Sequence, residues 1–399
     1  MRENFSQRLY MDNAATSFPK PKAVLEAMSR YALELGASAG RGVYREAIET
    51  GAFIAECRRQ LCLLFRGEKP EHFIFTLNCS HGLNMAIKGL INAAHPGHAI
   101  CSDIDHNSVL RPFNKLAENG WLQQTRVPID PVSGLLDPDD IRKAIRPDTR
   151  LIVATHASNV SGTVQPIREI GAIAREHGIP FLVDAAQAVG HIPIDVQADN
   201  IDLLAAPGHK GLLGPLGTGF LYIRPGLEKV LSTLEEGGTG SVSEQDRQPE
   251  FMPDRYEAGS HNAIGIAGLL EGVKWIAGQT VEKLAEHDRA LSKIFLDKIS
   301  KVEGLTWYGP RGLDHRTSVF SIRIKGFEPY ELSRLLEKEG GVLTRPGLHC
   351  APMAHRSFGT LNLGGTTRFS FGPFLSAEDV EFAGSLVAEL SRSHRTVQA

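Results

Sequence analysis

The chain has 399 residues, of which 42% are hydrophobic and 22% charged, and a formal net charge of −3. That length allows two cores of ordinary size, and the weakly acidic balance gives no basis for binding nucleic acid or an anionic membrane surface. Met1 to Tyr10 lacks the apolar core of a signal peptide and no apolar run reaches bilayer length, so the expected address is the cytoplasm and no membrane contact is expected.

Pro21 to Leu35 and Val43 to Phe65 carry helical apolar spacing on either side of a glycine-rich stretch, Gly36 to Gly42. His72 to Leu77 then reads as a strand, Ser80 to Asn92 as a helix, Ala99 to Ser102 as a strand and Asn107 to Asn119 as a helix. Arg150 to Thr155, Pro180 to Val183, Ile201 to Ala205 and Gly219 to Ile223 are further strand candidates. Strands alternating with helices predict right-handed crossovers and a mainly parallel, buried sheet, for which we expect seven strands in an α/β fold. Ile264 to about Ile299 reads as largely helical. From about Thr317 the pattern turns α+β, with strands Val319 to Ile324 and Thr367 to Phe371 and helices Pro329 to Lys338 and Ala377 to Arg392. The expected division is a large domain over 21–265 and a smaller one formed by 1–20 and 266–399, including the connecting helix.

Five cysteines are present, Cys57, Cys62, Cys79, Cys101 and Cys350. Cys57 and Cys62 are too widely spaced for a C-x-x-C metal site, and free thiols are expected. Four fit core or lining positions, whereas Cys350 falls in a loop.

Three features lie where ligand sites of α/β folds belong, at the carboxyl ends of strands. Thr76-Leu77-Asn78-Cys79-Ser80-His81-Gly82 joins a strand to a helix, and backbone N–H groups there with a serine hydroxyl make an anion site. A plain N-cap at Ser80 explains the same residues equally well. Val183-Asp184-Ala185-Ala186-Gln187 ends an apolar strand, where an acid is either a turn residue or the partner of a protonated ring nitrogen. Pro207-Gly208-His209-Lys210-Gly211, followed by Gly214-Pro215-Leu216-Gly217-Thr218-Gly219, puts a lysine after a buried strand, so its amine can face the ligand crevice.

D-x-x-Q, then G-H-K and G-P-x-G-x-G in that order, resembles the class V aminotransferase fold of pyridoxal-phosphate enzymes. Within that fold the chain is most similar to the cysteine desulfurases and selenocysteine lyases with a short cysteine loop. The likeness runs from Tyr10-Met11-Asp12-Asn13-Ala14-Ala15 to Arg368. It implies pyridoxal 5′-phosphate as cofactor, Lys210 as its Schiff-base lysine and Asp184 as partner of its ring nitrogen. By the same resemblance Gln187 and Asn159 contact the cofactor's phenolic oxygen and His106 stacks on the ring. Ser80 and His209, with Cys79 beside them, hold the phosphate. Ser260 matches a residue that reaches the neighbouring subunit's phosphate, which implies a homodimer with a shared site.

Arg345-Pro346-Gly347-Leu348-His349-Cys350-Ala351 resembles the R-x-G-x-H-C-A loop of the same group, making Cys350 the sulfur-taking nucleophile. Adjacent His349 and nearby Arg345 are the groups that could favour its thiolate. Arg368 matches the arginine that clamps the substrate α-carboxylate, with Arg345, Asn13 and Ala14 also expected at the substrate. The chain departs from the pattern at Pro207, where many relatives have a phosphate-binding hydroxyl, at His81, at Tyr44 in Arg41-Gly42-Val43-Tyr44, and between Cys350 and Arg368, which adds His355, Gly364 and Gly365.

The implied activity is removal of sulfur from L-cysteine to give L-alanine and a persulfide on Cys350, with a possible sulfur-acceptor protein. Selenide release from L-selenocysteine, another lyase or aminotransferase of this fold, and a non-catalytic pyridoxal-phosphate-binding protein are the alternatives.

Overall fold

The computed structural model describes residues 8–40 and 42–398, with side chains described to residue 393. Residues 1–7, part of the expected small domain, and Arg41 of the Arg41–Tyr44 stretch lie outside the described residues. The fold is α/β, built on a mixed seven-stranded sheet. Its spatial order is Phe73–Thr76, Gly219–Ile223, Leu203–Pro207, Phe181–Asp184, Thr149–Thr155, Gly97–Ser102 and Leu122–Val127. The last five run parallel, while Gly219–Ile223 is antiparallel to both of its neighbours.

The central strands are apolar on both faces because helices cover both. Ile152, Val183, Leu204 and Phe220 point into one core, shared with the helices Arg45–Leu64, Ile167–Glu176 and Ala263–Gln279. Their chain neighbours Val153, Leu182, Leu203 and Leu221 point into the other, beneath the helices Cys79–Leu90 and Asn107–Glu118. This period of two is the strand signature.

The strand Leu122–Val127 did not announce itself. Its sequence, LQQTRV, buries only its two ends because it is the outermost strand. The helical run after Ile264 divides into Ala263–Gln279 and Val281–Ile299 at Thr280, whose left-handed backbone (φ 68°) stops one helix and whose hydroxyl accepts the Lys283 N–H of the next.

A second, antiparallel sheet has the order Arg345–Gly347, Thr366–Ser370, Val319–Ile324, Leu305–Tyr308. Beneath it Phe295, Phe320, Phe369 and Phe371 form an aromatic core with Leu9 and Met11. The N-terminal strand Leu9–Tyr10 pairs in parallel with Val342–Leu343, so the start of the described chain is bound to its C-terminal part. Arg368 sits on the strand Thr366–Ser370, directly opposite Arg345. No helix among the described residues is long and apolar enough to cross a membrane.

Candidate active site

The loops after five sheet strands meet at one cavity of about 100 Å³. Lys210 follows the strand Leu203–Pro207, and its loop is fixed by close backbone approach. A Cβ on Gly208 would lie 2.2 Å from Thr218 Oγ1, and one on Gly211 would lie 2.0 Å from Val189 O. Only glycine fits either place. The backbone carbonyl of His209 accepts from Ser17 N at 3.0 Å, from Thr16 Oγ1 and Ser17 Oγ at 3.1 Å each, and from Lys20 Nζ at 3.4 Å. The segment Thr16–Lys20 thus braces the lysine loop, a role that no local pattern in the sequence signals. Burial lowers the pKa of Lys210, opposed by Cys79 and Asp184 and reinforced by Arg368 and Arg345. A larger share of neutral amine makes it a better nucleophile.

Asp184 ends the neighbouring strand and is buried. Its Oδ1 accepts from Ala186 N at 3.0 Å and lies 3.4 Å from Cys79 Sγ. Burial, with the Asp184 charge adding to it, pushes the Cys79 thiol well above its ordinary pKa, so Cys79 stays protonated. His106 caps the helix Asn107–Glu118 through Nδ1, which accepts from Ser108 N at 3.0 Å. That bond puts the ring proton on Nε2, and burial depresses the pKa to about 4, leaving a neutral imidazole at the cavity. Beneath it, wholly buried Asp105 accepts from Ser102 N and Ser102 Oγ at 2.7 Å and from Thr155 N at 2.9 Å, pinning two strand ends together.

At the other end of the cavity the helix Cys79–Leu90 begins. Asn78, not Ser80, is its N-cap: the Asn78 side chain accepts from His81 N at 3.0 Å. Ser80 is therefore free to face the cavity, where its hydroxyl meets that of Ser108 at 2.6 Å. His209 Nδ1 is buried without a hydrogen-bond partner, and burial lowers its pKa to about 4. Pro207 is buried and lines the same cavity, supplying no hydroxyl. An amine, a buried carboxylate, an unpartnered ring nitrogen and a helix N-terminus with two hydroxyls form a donor set that suits a carbonyl-bearing, phosphorylated pyridine.

Gln187 Nε2 donates to Ala14 O at 2.9 Å, and Ala14 N is held by Ser370 Oγ at 2.9 Å. Asn13 uses its side chain within the protein, donating to Tyr10 O and Ser370 O at 3.3 Å and accepting from Phe18 N at 3.3 Å. Arg368 is buried, with one terminal nitrogen donating to Asp12 Oδ1 at 2.6 Å and the other to Asn159 O at 3.1 Å, while its Nε has no hydrogen-bond partner. Sequence reasoning passed over Asp12 as a partner, although it lies inside the Tyr10–Ala15 motif. Ser260 is exposed and lines a different cleft, of about 160 Å³, with His81, Glu235 and His261. Tyr44 and Val43 are largely exposed as well.

Cys350 is exposed, on a turn in which both His349 (φ 50°) and Cys350 (φ 57°) are left-handed. Such a conformation costs on the order of 1–2 kcal/mol per non-glycine residue, so surrounding contacts must impose it. Asn159 Nδ2 donates to His349 O at 2.6 Å and Asn107 N donates to Cys350 O at 2.9 Å, which ties the turn to the cavity wall. The His349 ring does not serve as a cation beside the thiol. It is buried, its nitrogens face His355 and Arg345 O, and burial with the neighbouring Arg368 charge holds its pKa well below the ordinary range.

Residues 9–382 match the family described as aminotransferase class-V. A probable cysteine desulfurase of Pyrococcus abyssi is 34% identical over 395 residues, covering 98% of this chain and 96% of the relative. One of Methanothermobacter thermautotrophicus is 32% identical over 386 residues, covering 96% and 94%. Among solved structures, the apo cysteine desulfurase of Thermococcus onnurineus NA1 aligns with a TM-score of 0.90 at 32% identity, covering 97% of this chain and 95% of that one. The Escherichia coli cysteine desulfurase CsdA, in an S-sulfonic acid form, aligns with a TM-score of 0.84 at 26% identity, covering 96% and 94%. The chain belongs to the class-V aminotransferase family.

Proposed function

From that membership we propose that the protein is a pyridoxal-phosphate-dependent cysteine desulfurase, which moves the sulfur of L-cysteine onto Cys350 and releases L-alanine. The observation that carries the reading is the placement of the one exposed thiol among the described cysteines. It stands on a turn bonded through Asn159 and Asn107 to the wall of the cavity that holds Lys210 and Asp184.

Lys210 would hold the cofactor's aldehyde carbon, Asp184 its ring nitrogen, and Ser80, His209 and the start of the helix Cys79–Leu90 its phosphate. Once bound there, pyridoxal phosphate supplies an electron sink that weakens the bonds at Cα and Cβ of the amino acid. Once the substrate amine has taken its place on the aldehyde carbon, Lys210 Nζ is free to take the Cα proton, which a buried amine with a lowered pKa can accept. Arg368 holds the α-carboxylate through the guanidinium edge that bears its unpartnered Nε. Cys350 Sγ, as thiolate, attacks the substrate sulfur. An S–S bond forms, the Cβ–S bond breaks with its electron pair going to carbon, Cβ takes a proton, and Lys210 Nζ returns the proton it took to Cα, which completes alanine. Neutral His106, which lines the cavity, would present a flat, uncharged ring to the cofactor. A sulfur-accepting protein would then take the persulfide sulfur from the exposed Cys350. A homodimer belongs to the same proposal, supported by exposed Ser260 in its separate cleft.

The test uses purified protein with pyridoxal phosphate and L-cysteine, L-selenocysteine or L-cysteine sulfinate in separate reactions, measuring alanine, sulfide and selenide. The expected result is alanine from L-cysteine and one added sulfur on the Cys350 peptide after a single turnover. Cys350→Ala should stop alanine formation from L-cysteine. Undiminished alanine formation by that variant overturns the persulfide step, and amino-group transfer to an oxo acid in its place would assign an aminotransferase.

A further inference from the structure

The Cys350 turn is backed by a buried chain of three side chains. His349 Nε2 lies 3.0 Å from Arg345 O, His349 Nδ1 lies 3.2 Å from His355 Nε2, and His355 Nδ1 lies 2.7 Å from Thr360 Oγ1. His355 is completely buried, as is Thr360, and His349 is nearly so.

The direction of this chain follows from its last member. A carbonyl oxygen only accepts, so His349 Nε2 carries the ring proton and Nδ1 is left as an acceptor. His355 Nε2 must then donate to it, which makes His355 Nδ1 the acceptor of the Thr360 hydroxyl. All four ring nitrogens are satisfied in one arrangement, Thr360 O–H to His355, His355 N–H to His349, His349 N–H to Arg345 C=O. Two buried imidazoles that specify each other's tautomers are costly to assemble unless every member is paired. Here they converge on a residue held, with its neighbour Cys350, in the left-handed region.

We infer that His355 is a positioning residue for Cys350: by donating to His349 it locks the ring against Arg345 O and holds the 349–350 turn so that the thiol is presented to the substrate sulfur. His355 is not among the residues that line the cavity of Lys210 and Asp184, and it acts through His349. The inference rests on the reading of Cys350 as the sulfur-accepting group.

The experiment compares His355→Leu, His355→Gln and Thr360→Val in the holoenzyme. Gln keeps an N–H donor near the place of His355 Nε2, whereas Leu supplies none and leaves His349 Nδ1 buried and unpaired. Two quantities are read on each variant: kcat and KM for L-cysteine, and the rate constant for iodoacetamide alkylation of Cys350, followed by peptide mass mapping. For His355→Leu a kcat lower by on the order of ten- to a hundredfold is expected, because displacing a reacting group by about 1 Å suffices for that. KM should stay within about twofold, since the binding groups are untouched. The alkylation rate constant should depart from wild type, and His355→Gln should recover most of both quantities. A purely structural role would lower the unfolding midpoint while leaving the alkylation rate of the folded protein unchanged, and that result overturns the inference. So does His355→Gln impaired as severely as His355→Leu. If His355→Leu does not accumulate as folded protein, Thr360→Val decides: it leaves His355 Nδ1 buried without its partner and so loosens the ring that holds His349, and wild-type kcat and alkylation in that variant refute the chain. Failure of the underlying reading is separate, because it shows as alanine formation by Cys350→Ala whatever the His355 variants do.

Discussion

Arg368 and Asp12 form an ion pair at 2.6 Å in which the arginine side chain is 2% exposed and the aspartate 21%. A guanidinium so deeply buried is held by a partner from the N-terminal segment, 356 residues away in the chain. Asp12→Ala would leave Arg368 short of one charged acceptor. The expected loss is about 1.5–3 kcal/mol of stability, the range for a hydrogen bond to a charged group, read from urea midpoints. Arg368→Lys should raise KM for L-cysteine by about tenfold, because an ammonium cannot reproduce the planar fork. An unchanged KM in that variant would remove Arg368 from the substrate site.

Lys210→Ala should yield a protein that binds pyridoxal phosphate without a covalent link. Borohydride reduction of the wild type should attach the cofactor to the peptide containing Lys210, and no peptide of the variant should carry it. Labelling of Lys20, whose pKa burial lowers to about 8, would instead move the assignment to the segment bracing the lysine loop.

Asp184→Asn keeps the shape of the side chain and still allows the bond from Ala186 N, but removes the buried charge. Turnover should fall on the order of a hundredfold or more, in the range expected for a group that controls a proton in the reaction. The far-ultraviolet circular dichroism should match wild type. A variant keeping half the activity would show that the carboxylate charge is not needed.

Acid should unfold the protein earlier than its net charge suggests. Burial depresses His106, His156, His209 and His355 to about 4 each, against about 6.5 in an unfolded chain. A depressed folded pKa means that the unfolded state binds more protons between those values. The stability these groups contribute is therefore complete above about 6.5 and is lost as the pH falls toward about 4. For His156 alone the difference corresponds to about 3 kcal/mol. Asp105 works in the opposite sense, because burial raises it to about 7, but it is outnumbered. Urea midpoints measured from pH 7 down to pH 4 should fall, and unfolding near pH 5 should take up protons. A midpoint flat across that interval would contradict the buried neutral histidines.

Phe295 is wholly buried and packs against Phe320, Phe369 and Phe371 at ring distances of 5.1, 4.9 and 5.3 Å. Phe295→Ala should cost about 3–5 kcal/mol through lost burial and the cavity left behind. Differential scanning calorimetry should register the loss, and a shift in Tm of under a degree would mean that the helix Val281–Ile299 does not hold the C-terminal sheet in place.

Where burial and chain-local geometry coincide, the sequence by itself was decisive. The apolar runs Phe181–Asp184, Leu203–Pro207 and Gly219–Ile223 are strands because nothing polar interrupts them, and the glycines around Lys210 mark a loop that tolerates no side chain beside it. The motifs placed Lys210, Asp184 and Ser80 at strand ends, the family resemblance added His106, and the fold brings those four to one cavity. The polar edge strand Leu122–Val127 escaped notice because its faces are half solvated and carry no strong alternation. Only the tertiary structure decided the rest. That Asn78 caps the helix and frees Ser80, that Asp12 pairs with Arg368, and that Thr16–Lys20 braces the lysine loop are facts of long-range packing. His349, adjacent to Cys350 in the chain and a natural cation beside its thiol on that ground, is turned away toward His355 and Arg345. Chain adjacency fixes which residues are neighbours along the backbone, but left-handed dihedrals and burial decide where a ring points and whether it carries a charge.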